Sequence, residues 1–305
     1  MHDVIIIGAG PAGLTAGLYA GRYRLNTLVL EKLSVGGQII LSSTIENFPG
    51  FPGGISTQEL IERFKKQTDE LGIKILVQEV EEIDFSSQAE SSIYNITTKE
   101  GLYQARSVII ASGAQPKKLG VDGEGKFTGR GVSYCATCDG PLFKNKEVVV
   151  IGAGDKAIEE ALFLAGYAST VSVIHRRDTL RASKILEEKA RANKKIRFLL
   201  DSVVEKIEGS NKVEAVKVKN VKTESISLFA CQGVFIFVGI MPYTDFLKQK
   251  LEMDESGFII TDQDLHTSQK GIFACGDCRK KSLYQVINAC AEGAVAAASA
   301  HRYLI

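Results

Sequence analysis

No stretch of this chain is apolar for the roughly 18 residues that a membrane-spanning helix needs. Its first residues, Met1-His2-Asp3-Val4, carry no basic segment leading into an apolar one. The sequence therefore reads as having no membrane span and no signal peptide, with a cytoplasmic location expected. Charge of one sign is also missing: 37 Lys and Arg stand against 36 Asp and Glu, a net charge of +1. That balance creates no global field to draw in nucleic acid or an anionic membrane, so neither is expected as a partner. Cysteine is sparse, at six in 305 residues. Six are too few for a disulfide scaffold, and in a reducing compartment a close pair points to catalysis or metal binding. The histidines His2, His175, His266 and His301 stand in no recognisable nucleophile context, which leaves a Ser-His-Asp hydrolase without support.

What is present is an ordinary globular composition, 45% apolar and 24% charged, with a repeat inside it. At roughly 100–200 residues per domain the length suggests two domains. Residues 3–10 read DVIIIGAG and residues 147–154 read EVVVIGAG, 144 positions later. Each is a short β-branched run, as a buried parallel strand should be. Each leads into a Gly-rich turn and an Ala/Leu-rich helical stretch. The first turn is Gly8-Ala9-Gly10-Pro11-Ala12-Gly13, the second Gly152-Ala153-Gly154-Asp155-Lys156-Ala157. Both fit G-x-G-x-x-G/A. In that pattern the first glycine makes the tight turn and the second lets backbone approach a pyrophosphate. The third position keeps helix and strand close, and the helix N-terminus offers N–H groups to the phosphates.

The end of each second strand separates the two units. Glu31 lies 23 residues after Gly8, where a carboxylate accepts hydrogen bonds from a ribose with a free 2′-hydroxyl, as in FAD or NAD. His175 lies 23 residues after Gly152, followed by Arg176, Arg177 and Arg181. No carboxylate is available there, and cationic forks suit a 2′-phosphate. Spacing alone does not say which unit holds a flavin.

The strand SVIIASGA, Ser107–Ala114, closes the first stretch, and the strand-like KVEAVKVKN and ACQGVFIFVG follow the second repeat. The last 60-odd residues hold GIFACGDC and an Ala-rich helix from about Ser282, too short for a third domain. The simplest architecture is an α/β protein of two Rossmann-like dinucleotide-binding domains, one inserted into the other. Residues 1–114 and 240–305 would form one domain, and 115–239 the inserted one.

Cys135-Ala136-Thr137-Cys138-Asp139 is the sharpest chemical signal. Two thiols at this spacing close a small disulfide ring and tune each other. The thiolate attacks disulfides, and an adjacent carboxylate can shuttle the proton each exchange requires. Two bland alternatives stand beside this one. The pair can be inert core cysteines, or half of a zinc site completed by Cys275 and Cys278, although those lie about 140 residues away with no histidine close in sequence to either pair.

With these pieces the chain resembles the low-molecular-weight, bacterial-type thioredoxin reductases of the pyridine nucleotide-disulfide oxidoreductase family, along nearly its whole length. GAGPAG (8–13), GGQ (36–38), IENFPGFP (45–52), ASGA (111–114), CATCD (135–139), GAGDKA (152–157) and HRRDTLRA (175–182) carry the likeness, with GDC (276–278) and QVINACAEGA (285–294). The resemblance implies a homodimer that passes electrons from NADPH through FAD and a dithiol to thioredoxin. It places FAD on the first unit and NADPH on the second. By position, Cys138 would lie next to the flavin, Cys135 would attack thioredoxin and Asp139 would be their acid–base partner. Gly36, Gly37, Gln38 and Asn47 would lie along FAD, as would Ala111 and Gly113 of ASGA and Gly276. Asp277 would hydrogen-bond the ribityl chain, and Gln285 and Val286 would begin a helix pointing at the ring. The family's NADPH domain is thought to rotate, with Gly113 and Gly239 near the hinges.

The sequence departs from the family pattern in three places. Asp155-Lys156 replaces a small polar pair, so Lys156 either reaches a phosphate or stays on the surface. Tyr284 stands where Arg is common. Cys275 replaces a usual Ala, which raises the question of a second thiol pair with Cys278. Cys231 and Cys290 read as core. The alternatives keep flavin and dithiol but change the donor to NADH or ferredoxin, or the acceptor to a glutaredoxin-like or peroxiredoxin-system protein. A flavin- or metal-binding redox sensor is the remaining reading.

Overall fold

The two β-branched runs that open the repeats become central strands of two sheets, the first mixed and the second parallel. This is seen in a computed structural model describing residues 1–41, 44–45, 47–85, 93–247 and 250–305. The side chains of Leu41, Thr44, Thr137 and Cys138 lie outside the description. The chain divides into two compact units, Met1–Gln115 with Met241–Ile305, and Pro116–Ile240.

In the first unit the strand His2–Ile7 lies between Thr27–Glu31 and Leu102–Ile110, parallel to both. Lys74–Val77 extends the sheet beyond Thr27–Glu31. The strand Leu102–Ile110 changes partner along its length. Its first half pairs antiparallel with Tyr94–Thr98, and its last three residues pair parallel with Ile272–Ala274. Successive side chains of a strand face opposite sides, and His2–Ile7 supplies both cores this way. Val4 and Ile6 join the cluster under the helices Pro11–Arg22 and Val286–Leu304, while Ile5 and Ile7 join the cluster on the other face. Each such aliphatic side chain contributes about 1.5–3 kcal/mol when fully buried.

Those two helices approach closely because their facing residues are small. Ala12, Ala16 and Ala20 on one meet Ala289, Gly293, Ala296 and Ala300 on the other. A Cβ on Gly293 would stand 2.2 Å from the Ala12 carbonyl oxygen. The last helix starts at Val286, four residues beyond the expected Ser282. Gln285 is still extended, with φ −140° and ψ 154°.

The second unit has a five-stranded sheet in the order Val132–Ser133, Gly233–Ile236, Glu147–Ile151, Thr170–Ile174, Ile196–Leu199, all parallel. Beside it runs an antiparallel meander of Ser202–Glu208, Ala215–Asn220 and Ile226–Ala230. This is the Rossmann-like arrangement expected of both repeats, parallel strands with a helix after the central one.

Candidate functional site

The two Gly-rich turns are built alike, atom for atom. Gly8 N–H donates to the Leu30 carbonyl at 2.7 Å, and Gly152 N–H to the Ile174 carbonyl at 3.1 Å. The Ala111 and Phe237 amides donate to Ile7 and Ile151, both at 2.8 Å. Gly8 and Gly152 have φ of 107° and 123°. A Cβ on either would strike a neighbouring carbonyl oxygen, of Ala111 at 2.2 Å or Phe237 at 2.1 Å. Only glycine fits both the conformation and the space. The third positions differ for a steric reason. A Cβ on Gly13 would meet the Gly8 oxygen at 1.8 Å, whereas Ala157 carries its methyl 3.4 Å from where a Gly152 Cβ would be.

Both turns end on a helix with an open N-terminus. Gly10 caps Pro11–Arg22 and Gly154 caps Asp155–Ala165, neither with a side-chain cap. The first-turn amides keep their donors for an incoming anion, and both helices exceed two turns. Ala9 and Ala153 are buried under the turns. The donor sets therefore fit two dinucleotide pyrophosphates.

In the first unit Glu31 is fixed by backbone. Its Oε2 accepts from Ala9 N–H at 2.6 Å and its Oε1 from Leu33 N–H at 3.1 Å. Each carboxylate oxygen retains a lone pair for a ribose hydroxyl. A small cavity opens beside it, lined among others by Gly8, Leu30, Glu79, Ser112 and Tyr243. Lys32, Glu79 and Tyr243 form a linked group there: Lys32 pairs with Glu79 at 2.6 Å and bonds Tyr243, whose hydroxyl donates to Glu79 at 2.9 Å. None of these three stood out in the sequence.

The glycine pair Gly36-Gly37 closes over the turn. Gly36 N–H donates to Ala9 O at 2.8 Å, both glycines have positive φ, and a Cβ on Gly37 would lie 3.2 Å from Gly10 Cα. Gln38 follows, exposed. Asn47 and Gln285, 238 residues apart, meet at 3.0 Å, with Asn47 Nδ2 donating to Gln285 Oε1. Gln285 caps the last helix without covering its first amides. Gly113, at φ 71°, accepts from Tyr243 N–H at 2.9 Å. Gly276 sits against Ala12, 2.8 Å from its Cβ if it had one of its own, and Asp277 follows on the same turn, Gly276–Cys278.

Cys275 and Cys278 are free thiols, both fully buried. Cys278 Sγ donates to the carbonyls of Cys275 at 3.2 Å and Ile110 at 3.4 Å. Burial raises both thiols, Cys278 to about 11, so neither forms a thiolate near neutrality. Cys231 is core, as expected, but Cys290 is only part-buried and lines a second small cavity with Phe48 and Phe64. Among the described residues no three His, Cys, Asp or Glu side chains are placed to share a metal ion.

In the second unit His175, just past the strand Thr170–Ile174, is buried at 8% exposure, while Arg176, Arg177 and Arg181 near it are exposed. Burial first, then the charges of Arg177, Arg176 and Arg181, hold the imidazole below its ordinary range. Its Nε2 is buried and finds no hydrogen-bond partner among the described residues. Asp155 is committed elsewhere, accepting from Ser183 N–H at 2.6 Å. Lys156 pairs with Glu160 one turn along its own helix.

Cys135 is disulfide-bonded and lies two residues after the strand Val132–Ser133. Ser133 Oγ accepts from its amide at 3.0 Å and donates to its carbonyl at 3.1 Å. Cys138 lies in the short helix Ala136–Asp139, its side chain outside the described residues, and Asp139 N–H donates to Cys135 O at 3.2 Å. Just upstream, Glu124 is buried. It accepts from the Tyr134 hydroxyl at 2.6 Å and from the amides of Leu119 and Gly120 at 2.8 and 2.6 Å.

Comparisons agree over the whole chain. Residues 2–293 match the family model described as pyridine nucleotide-disulphide oxidoreductase. A thioredoxin reductase of Treponema pallidum is 47% identical over 99% of this chain and 97% of its own. The crystal structure of Lactococcus lactis thioredoxin reductase in its FR conformation is 41% identical, with a TM-score of 0.94 over 100% of this chain and 99% of that one. That of T. acidophilum thioredoxin reductase is 34% identical, with a TM-score of 0.91 over 99% and 98%.

Proposed function

As this chain belongs to the pyridine nucleotide-disulphide oxidoreductases, among the thioredoxin reductases, we propose that it carries electrons from NADPH through FAD and the Cys135/Cys138 dithiol to the disulfide of thioredoxin. It is a flavin-dependent oxidoreductase acting on a protein disulfide. The observation that carries the finer assignment is the matched register of the two turns with opposite chemistry at their ends. Glu31 follows Leu30, which accepts from Gly8; His175 follows Ile174, which accepts from Gly152. A carboxylate at that position accepts from the ribose hydroxyls of FAD. A neutral imidazole and three guanidinium groups bind the 2′-phosphate of NADPH instead.

The bound flavin supplies two-electron transfer between nicotinamide and sulfur. The chain supplies the rest. Gly10, Ala12 and Gly13 present amides to the FAD pyrophosphate, with Gly8 making the turn and Pro11 opening the helix, and Gly154 and Ala157 present theirs to NADPH behind the turn at Gly152. The open end of the last helix, at Gln285 and Val286, favours negative charge in front of it. Cys135, as thiolate, attacks the thioredoxin disulfide to form a mixed disulfide and release one thioredoxin thiolate. Cys138 then attacks Cys135 Sγ, closing the Cys135–Cys138 disulfide and releasing the second, with Asp139 giving and taking the protons. The exposed apolar side chains Leu283, Ile287 and Val295 support a homodimer, and the dithiol chemistry supports a cytoplasmic location.

Anaerobic titration tests this. NADPH should bleach the flavin absorbance of the yellow protein, and oxidised thioredoxin should restore it. Arg176→Ala with Arg177→Ala should raise KM for NADPH by about ten- to a hundredfold, while KM for NADH stays within about twofold. Folded protein that takes up no FAD, or equal effects on both KM values, would contradict the reading.

A further inference from the structure

The last helix carries one acidic residue, Glu292, on the face otherwise given to alanine and glycine. Its carboxylate is 9% exposed and meets four groups. Oε2 accepts from Gly276 N–H at 2.7 Å and lies 3.4 Å from Lys281 Nζ. Oε1 accepts from Arg279 Nη1 at 2.8 Å and Asn288 Nδ2 at 2.9 Å. Lys281 Nζ, 4% exposed as a side chain, reaches on to Asp277 Oδ1 at 2.8 Å. Burying a carboxylate is costly unless it is hydrogen-bonded and paired, and these partners do both. The next residue, Gly293, backs onto the Ala12 carbonyl, and Gly276 backs onto the Ala12 side chain. The first turn of the phosphate-facing helix is thus wedged between the turn that bears Asp277 and the helix that bears Glu292.

We propose that Glu292 is a positioning residue for the flavin. Through the Gly276 amide and Lys281 it holds Asp277 in the one orientation that meets the ribityl hydroxyls. This rests on the FAD assignment above. Glu292 itself touches no part of the cofactor; it acts on Asp277 from behind, and Arg279 and Lys281 balance the two carboxylates.

A double-mutant cycle on the FAD dissociation constant tests it, read by the fluorescence of released flavin, with the melting temperature of the apoprotein as a check on folding. Glu292→Gln should weaken FAD about tenfold, and Asp277→Asn by a similar factor. The double variant should also lie about tenfold below wild type, because Glu292 acts only through Asp277. A merely structural role gives additive losses, about a hundredfold in the double variant, and that result overturns the proposal. So does a Glu292→Gln protein with wild-type affinity. Should Glu292→Gln not fold, Lys281→Met carries the same cycle, since it cuts the link to Asp277 but leaves the Gly276 hydrogen bond. A folded wild-type protein that binds no FAD removes the flavin assignment, and the inference with it.

Discussion

Gly13 and Ala157 occupy the same place in two copies of one turn, yet they are not interchangeable. A methyl on Gly13 would sit 1.8 Å from the Gly8 oxygen, which no rotamer change relieves. Gly13→Ala should cost about 2–4 kcal/mol in urea unfolding, and Ala157→Gly only about 1 kcal/mol. Equal costs would mean the first turn has more slack than its geometry shows. His175 gives a prediction with a sign. Its imidazole is held below the ordinary value of 6.5, first by burial and then by three arginines. The unfolded chain therefore takes up a proton that the folded one refuses. Its contribution to stability is whole above about pH 6.5 and declines as pH falls from there toward the lowered folded value. His175→Asn should flatten that part of the apoprotein's stability profile, measured by urea unfolding at several pH values. An unchanged slope would show that other groups set it.

Elements were legible in the sequence where both faces are buried. The runs DVIII and EVVVI read as parallel strands because a strand covered on both faces is apolar throughout, and they are the central strands of their sheets. The strand Leu102–Ile110 was legible only in its second half, from Ser107. Its first residues, Leu102 to Arg106, are mostly exposed or part-exposed and pair at the hairpin side, so their composition reads as loop. Glu292 was missed because a single acidic residue in a helix usually faces water. The available clue was register: it lies three residues after Ala289 and four before Ala296, on the packed face. The Lys32–Glu79–Tyr243 group was missed for a different reason. Its members come from three distant segments and only the fold brings them together.

At the scale of the whole chain, the second unit is one uninterrupted stretch, Pro116–Ile240, with its own two hydrophobic clusters. Expressed alone, residues 116–240 should fold and melt cooperatively in circular dichroism, since a separate core is what a domain needs. A featureless melt would show that it leans on the rest of the chain. The first unit has no such independence. Its sheet lacks the strand Ile272–Ala274, and its leading helix lacks the neighbour Val286–Leu304, until those residues are made. During synthesis the inserted unit can therefore mature while the outer one waits, its opening residues already outside the ribosome. Gly276, Asp277, Gln285 and Glu292 follow the inserted unit in sequence, so on the proposed function FAD is held only after the segment beyond Ile240 has been made. A product cut short before Ile272 would leave the small-residue face of Pro11–Arg22 uncovered and, on the proposed function, should stay colourless.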